Sequence, residues 1–414
     1  MMWLDRIETR LNACSLEVSG PLSRRENTAI LHGQGNCRQA ILIGCYELLQ
    51  PTNPERNLFS INLHPIRNGE IMICVAECSC EPKQEPCISI SRPVQTIEMD
   101  SGILDGKFFR RLKNPKIYCT ASASGYITLF HLQGHIETSF SLRKLSSYGD
   151  PECGLCLSIG WDDYEAEDVV GTISSRIVSS YSKGTLALHE VIIRLDDSGE
   201  LSQISSEQSH RWNAHTLFDS PTEVWTTCFA TNKRHNTYQH VVISGADDCK
   251  MKLWDVRTTV RPIHNIQSTE AGLTAVAYHP TLEHIFASGS YDESISIWDM
   301  RKLNSRTPLQ KMDNVGGGIW RLRWHPYHES RILVGAMHGG ARILNLSRLE
   351  SSSQNGENDV FITKDPISFT AHQSMTYGAD WIYCADCNIE AAATCSFYDR
   401  QAFIWLTKSK ECET

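Results

Sequence analysis

Two copies of one short pattern, 44 residues apart, and weaker copies along most of the chain predict an all-β fold, a seven-bladed β-propeller. The clearer copy is Ala287-Ser-Gly-Ser-Tyr-Asp-Glu-Ser-Ile-Ser-Ile-Trp298-Asp299. Small residues suit a tightly packed strand, Asp292 marks a short turn, and Ile295 and Ile297 alternate with polar neighbours as in a half-buried strand. The second copy, Ser244-Gly-Ala-Asp-Asp248-Cys-Lys-Met-Lys-Leu-Trp254-Asp255, repeats the turn and the closing Trp-Asp pair. A repeat of that length ending in Trp-Asp is the signature of a four-stranded WD40-type blade.

Laid against these copies, the chain reads as one propeller with blades at roughly 1–65, 95–133, 150–195, 210–258, 264–302, 312–348 and 367–407. Ala40–Tyr46 and Asn57–Leu63 read as strands of the first blade, and Cys119–Phe130 places Phe130 where Trp298 stands. Residues 5–18 supply an outer strand for the last blade, closing the ring. Residues 351–360, rich in Ser, Asn and Gly, read as a mobile insertion, and Cys78–Cys87 as a second long loop.

Composition bounds the function. Hydrophobic residues make up 41% and aromatic residues 8%, enough for a core. Net charge is −9 and the basic residues are scattered, which argues against nucleic acid as the partner. No apolar run suits a bilayer, and acidic residues near the start do not suit a secretory signal. The expectation is a cytoplasmic monomer with reduced thiols among its 16 cysteines. Two Cys-x-x-Cys pairs, Cys153/Cys156 and Cys384/Cys387, have zinc-ligand spacing. Without a ribbon context they read as coincidence in a cysteine-rich chain, so neither metal nor cofactor is expected.

His215, Ser244, Asp248 and Trp254 look like a catalytic set, but in such a blade they form a structural hydrogen-bonded tetrad. Ser288, Asp292 and Trp298 repeat it, with Thr269 or a neighbour in place of the histidine. The sixth blade departs: His338, between Met337 and Gly339-Gly340, occupies the turn aspartate's place. Residues at the starts of the inner strands (Trp225, Thr274, Trp320, Tyr377) and just before the turns (Asp247, Tyr291, Met337, Tyr398) border one mouth of the central channel. That ring of aromatics with an acid reads either as packing between blades or as a cage for a cation. Nucleophile-elbow, zinc-protease and P-loop motifs are absent.

Gly317-Gly-Ile-Trp-Arg-Leu-Arg-Trp-His-Pro326, Ala336-Met-His-Gly339, Tyr377-Gly-Ala-Asp-Trp381, Thr394-Cys-Ser-Phe-Tyr-Asp399 and His284–Asp292 resemble the eukaryotic WD-repeat diphthine methyl ester hydrolases. The resemblance is strong over 210–407 and faint over the first 200 residues. It implies an esterase of diphthamide biosynthesis, acting on a modified histidine of translation elongation factor 2. That substrate presents a trimethylammonium group and a methyl ester, and the ester methyl leaves as methanol. On this reading Trp225, Trp320, Tyr377, Tyr291, Tyr398 and Asp247 bind substrate. His338 serves as general base, oriented by Asp380 or Asp399, and Arg321 or a backbone N–H polarises the carbonyl. The competing expectation is a non-catalytic scaffold of the diphthamide pathway or of endosomal trafficking, because propellers are often interaction platforms. A ubiquitin-ligase receptor role would rest on Trp254-Asp-Val-Arg257 and Trp298-Asp-Met-Arg301.

Overall fold

The computed structural model describes residues 3–19, 35–48, 67–80, 87–112, 116–134, 139–164, 171–349, 359–362, 366–384 and 389–407. They form seven antiparallel sheets set around one axis, each ordered from an inner strand outwards, and one small extra hairpin. The inner strands are Asn12–Val18, Ile103–Phe108, Cys156–Trp161, Thr226–Phe229, Leu273–Tyr278, Arg321–Trp324 and Thr376–Cys384. The chain is a seven-bladed WD40-type propeller.

The last sheet is built from both ends of the chain. Trp3–Glu8 pairs antiparallel with Gln401–Leu406 as the outermost strand, and the next segment, Asn12–Val18, opens the first blade from inside. Every inner strand is therefore held between two neighbours.

Two early segments differ from expectation. The first blade runs to Met99 rather than 65, because Arg67–Cys80 and Gln95–Met99 belong to its sheet. Cys78 is paired strand rather than loop. Asn57–Leu63, Cys387 and most of 351–360 lie outside the described residues.

The core sits between blades. Ile295 and Ile297 of the fifth blade pack with Ile319, Trp324 and Ile332 of the sixth, and Leu129 of the second packs with Ile159 and Ile177 of the third. Each fully buried side chain of this kind contributes about 1.5–3 kcal/mol. Between these layers the fourth-blade tetrad closes as its residue types require. His215 Nδ1 lies 2.9 Å from Asp248, its Nε2 lies 2.8 Å from Ser244 Oγ, and Trp254 Nε1 donates to the same hydroxyl at 3.0 Å. In the fifth blade Trp298 Nε1 donates to Ser288 Oγ at 2.9 Å, but Thr269 does not replace the histidine. Its hydroxyl donates to the Ala271 carbonyl, and the Glu270 backbone N–H reaches Asp292 instead, at 2.9 Å.

The third blade carries its own buried histidine. His189 Nε2 lies 2.7 Å from Ser179 Oγ, and burial pulls its pKa down to about 3. A folded-state pKa below the unfolded value means that the unfolded chain takes up the proton first as pH falls. Stability attributable to His189 is then lost between the ordinary histidine value, about 6.5, and about 3, at about 1.4 kcal/mol per pH unit. Urea unfolding of His189→Gln should show an acid limb shallower by that slope between pH 6 and 4. Parallel limbs for variant and parent would refute the assignment.

Candidate functional site

The seven inner strands enclose a cavity of about 1080 Å³ along the propeller axis. At one mouth, Trp225, Trp320 and Tyr377 form an aromatic arc. The Trp225 and Trp320 ring centroids are 5.5 Å apart, Trp320 and Tyr377 are 4.8 Å apart, and Tyr291 lies 5.9 Å from Trp320. Trp320 is the hub because it precedes the inner strand of the sixth blade, between its neighbours on either side. Asp247 accepts a hydrogen bond from Trp225 Nε1 at 2.6 Å, and burial pushes its carboxyl up. Gly272 is required beside it, since a Cβ there would lie 2.4 Å from Asp247 Oδ1. Five of the six residues expected to bind substrate, Trp225, Trp320, Tyr377, Tyr291 and Asp247, are thus brought together. Tyr398 lies further out, 63% exposed, and its ring packs on Phe397, which in turn faces Tyr377.

Beyond the arc the cavity is lined by charges that composition and motifs did not reveal. Arg321 Nη1 donates to Asp105 Oδ1 at 3.0 Å, and Lys107 Nζ lies 3.5 Å from Asp105 Oδ2. Ser158 Oγ and the Ile159 N–H donate to the same carboxylate at 3.1 and 3.2 Å. Burial alone would push the Asp105 carboxyl up, but Lys107, Arg321 and Arg323 pull it down to about 2. Burial lowers the Lys107 pKa, opposed by Asp105 and reinforced by Arg323 and Arg321.

A second cluster adjoins it. Arg110 donates to Glu17 at 2.9 Å and to Asp380 at 3.0 Å, and Arg323 contacts Glu17. Burial pushes the Glu17 carboxyl up, against the pull of Arg323 and Arg110. These partners are 93 to 306 residues apart in sequence and meet only because all seven inner strands face one axis. Alternation along a strand could have hinted at them: Asp105/Lys107 and Arg321/Arg323 are charges two apart on inner strands, where apolar residues are the rule.

The expected catalytic grouping is corrected. In the turn Ala336–Gly340, Met337 is buried with φ 39° while His338 points outward and is exposed. His338 does not line the cavity and makes no hydrogen bond or ion pair with Asp380 or Asp399. Asp399 belongs to a structural tetrad in the last blade: it lies 3.6 Å from His372 Nδ1 and accepts from the Gln373 N–H at 2.8 Å. His372 Nε2 lies 2.9 Å from Thr394 Oγ1, to which Trp405 Nε1 donates. Asp380 is buried, accepting from the Val18 N–H at 2.8 Å and from Arg110. Asp380 and Arg321 both line the cavity, Arg321 beside Trp320.

One group of side chains, His325, His328 and Glu390, has the spacing of a metal site. Its protons argue otherwise. His325 Nδ1 accepts the Tyr327 and His328 backbone N–H groups at 3.1 and 2.9 Å, so the neutral ring carries its proton on Nε2, 3.3 Å from Glu390. Glu390 is further held by Arg331 and Thr407. The proton occupies the position a metal would need. The Cys153/Cys156 thiols are buried and unlinked, and Cys387 lies outside the described residues.

With this geometry in place, the likeness to known proteins can be read. Residues 206–255 and 260–299 match the WD domain, G-beta repeat. A diphthine methyltransferase homolog of Dictyostelium discoideum is 28% identical over 329 residues, 76% of this chain and 79% of that protein. The chain is similar to the diphthine methyltransferases. The Mus musculus protein of that name is 34% identical over 265 residues, 63% of this chain and 49% of its own length. The Homo sapiens one is 28% identical over 402 residues, 95% and 77% respectively. In shape, a chain in the crystal structure of a mitotic checkpoint complex matches with a TM-score of 0.50 at 13% identity, covering 83% of this chain and 87% of that one. That likeness speaks for the fold alone. No helix among the described residues is long and apolar enough to cross a membrane.

The buried position of Asp380 makes a separable prediction. Asp380→Asn should destabilise the fold by about 3 kcal/mol, since it leaves Arg110 and Arg323 short of a buried counter-charge. His338→Ala, at an exposed position, should not change the urea midpoint. An Asp380→Asn protein as stable as the parent would show that the ion-pair network carries no stability.

Proposed function

We propose that this protein hydrolyses the methyl ester of diphthine on translation elongation factor 2, releasing methanol and leaving the carboxylate for later amidation. The observation that carries the reading is the aromatic arc of Trp225, Trp320, Tyr377 and Tyr291, with Asp247 beside it, at the mouth of a cavity that also holds Arg321. Aromatic faces attract quaternary ammonium groups by about 0.5–2 kcal/mol each. A half-buried carboxylate adds a counter-charge. The names of the similar proteins from three organisms, which specify diphthine as the group acted on, support the same ligand.

With the trimethylammonium group in the arc, the ester of the same side chain falls next to Arg321. Water adds to the ester carbonyl and gives up its proton to a base. The carbonyl oxygen becomes an oxyanion opposite the Arg321 guanidinium, the C–O bond to the methoxy group breaks, and methanol departs with a proton. His338 is exposed and does not line the cavity, so it is not placed to take that proton, which passes to solvent water at the mouth. Tyr398 and Tyr291 offer exposed rings on the face that carries the turns for the factor itself.

The relatives' names favour a second reading, in which a methyl group is transferred to diphthine rather than removed. One assay separates the two. Purified protein is incubated with elongation factor 2 carrying the methyl ester, and intact mass and methanol are followed. Loss of one methyl with an equivalent of methanol is expected. Trp320→Ala should lower kcat/KM about 10-fold to 30-fold, roughly the worth of one desolvated cation contact. Gain of a methyl on the unesterified factor, with S-adenosylmethionine supplied, would establish the transferase reading instead. Turnover only after adding lysate would establish the scaffold. His338→Ala should hydrolyse the ester unchanged, and loss of turnover would return that residue to the chemistry.

A further inference from the structure

The same cavity has two poles of opposite preference. Its mouth suits a cation, through the Trp225–Trp320–Tyr377 arc and Asp247. Its middle holds four cations, Lys107, Arg110, Arg321 and Arg323, and the carboxylates Glu17, Asp105 and Asp380, with Asp163 accepting from the Arg110 backbone N–H at 3.1 Å. Lys107 and Arg321 both pair with Asp105, and Arg323 pairs with Glu17 and lies 3.9 Å from Asp380. The Nε–H groups of Arg321 and Arg323 are buried and lack a hydrogen-bond partner among the described residues. A buried cationic N–H without a hydrogen bond is destabilising, and an incoming anion would satisfy it. The two poles are adjacent: Arg321 follows Trp320 directly, and the Cys14 thiol interacts electrostatically with both Arg321 and Tyr377.

We propose that the cavity is a betaine site, binding a quaternary ammonium group in the aromatic arc and a carboxylate against Arg321, Lys107 and Arg323. The inference deepens the hydrolase reading and rests on it for the natural ligand. Before hydrolysis the modified side chain carries only the positive charge. Afterwards it carries both charges, and the cavity holds the product more tightly than the ester. Product release then becomes the slow step, and a reaction that consumes the carboxylate, such as amide formation, relieves it. The chemistry at the far end of the cavity does not enter, although Lys116, Lys233 and Arg234 line it.

The test needs no protein substrate. Binding of glycine betaine, 4-(trimethylammonio)butyrate, choline and butyrate to the full chain is measured by calorimetry at low salt. The better of the two betaines should bind at least tenfold more tightly than choline or butyrate. Arg321→Gln should bring it down to the level of choline while leaving choline unchanged, Arg321→Lys should restore part of the gap, and Trp320→Ala should weaken both cationic probes. Equal affinity for betaine and choline, equal affinity for betaine and butyrate, or no binding of either betaine at millimolar concentration would overturn the proposal. If Arg321→Gln fails to fold, the ranking of probes on the parent protein decides alone. A clear betaine preference in a protein without esterase turnover would sink the hydrolase reading only. Turnover without that preference would sink this inference only.

Discussion

Ring closure between Trp3–Glu8 and Gln401–Leu406 is the constraint under which everything else is arranged. Backbone hydrogen bonds across that pair complete the last blade, and they leave Asn12–Val18 to begin the first from the axis side. Because the closure is made by strand pairing rather than by side-chain contact alone, it removes two exposed sheet edges at once. It also brings Glu17 from the start of the chain within hydrogen-bond distance of Arg110, and within contact of Arg323. The buried charges at the axis would have no partners in an open arc of blades.

Those charges and the hydrogen-bonded tetrads divide the labour between the axis and the blades. In the fourth blade a histidine, a hydroxyl residue, an aspartate and a tryptophan satisfy one another within a single sheet and its flanking loop, and in the last His372 and Trp405 share the Thr394 hydroxyl. The axial groups instead satisfy one another between sheets, as with Asp105 of the second blade and Arg321 of the sixth. The first kind makes each blade rigid. The second holds the inner strands at fixed spacing and leaves a polar cavity between them.

Much of this was legible in the sequence because it is local. The tetrad of His215, Ser244, Asp248 and Trp254 and the mouth positions of Trp225, Trp320 and Tyr377 follow from the period of one blade. Each needs only the position of a residue within its own repeat. Asp105 and Lys107 escaped notice because the second blade has lost its Trp-Asp ending, leaving no marker to count from. Glu17–Arg323 is a contact around the whole ring, which no repeat pattern encodes. The pairing of His338 with Asp380 or Asp399 failed for a related reason. A turn residue can be placed in sequence, but its facing depends on the backbone, and the positive φ of Met337 turns the methionine inward and the histidine out. Asp399 stands 27 residues after His372, a spacing close to that of His215 and Asp248, so the blade pattern gives it a structural place.

The matched repeats at 206–255 and 260–299 contribute Trp225 and Tyr291 to the cavity, but none of its axial arginines. Asp105 and Lys107 come from a degenerate blade, Glu17 from the segment after the closing strand, and Arg321 and Arg323 from a blade without the turn aspartate. No excised piece of the protein owns the pocket. A nick in the backbone anywhere that lets the ring relax would leave blades that still look folded by their β content, around an axis that has lost its chemistry.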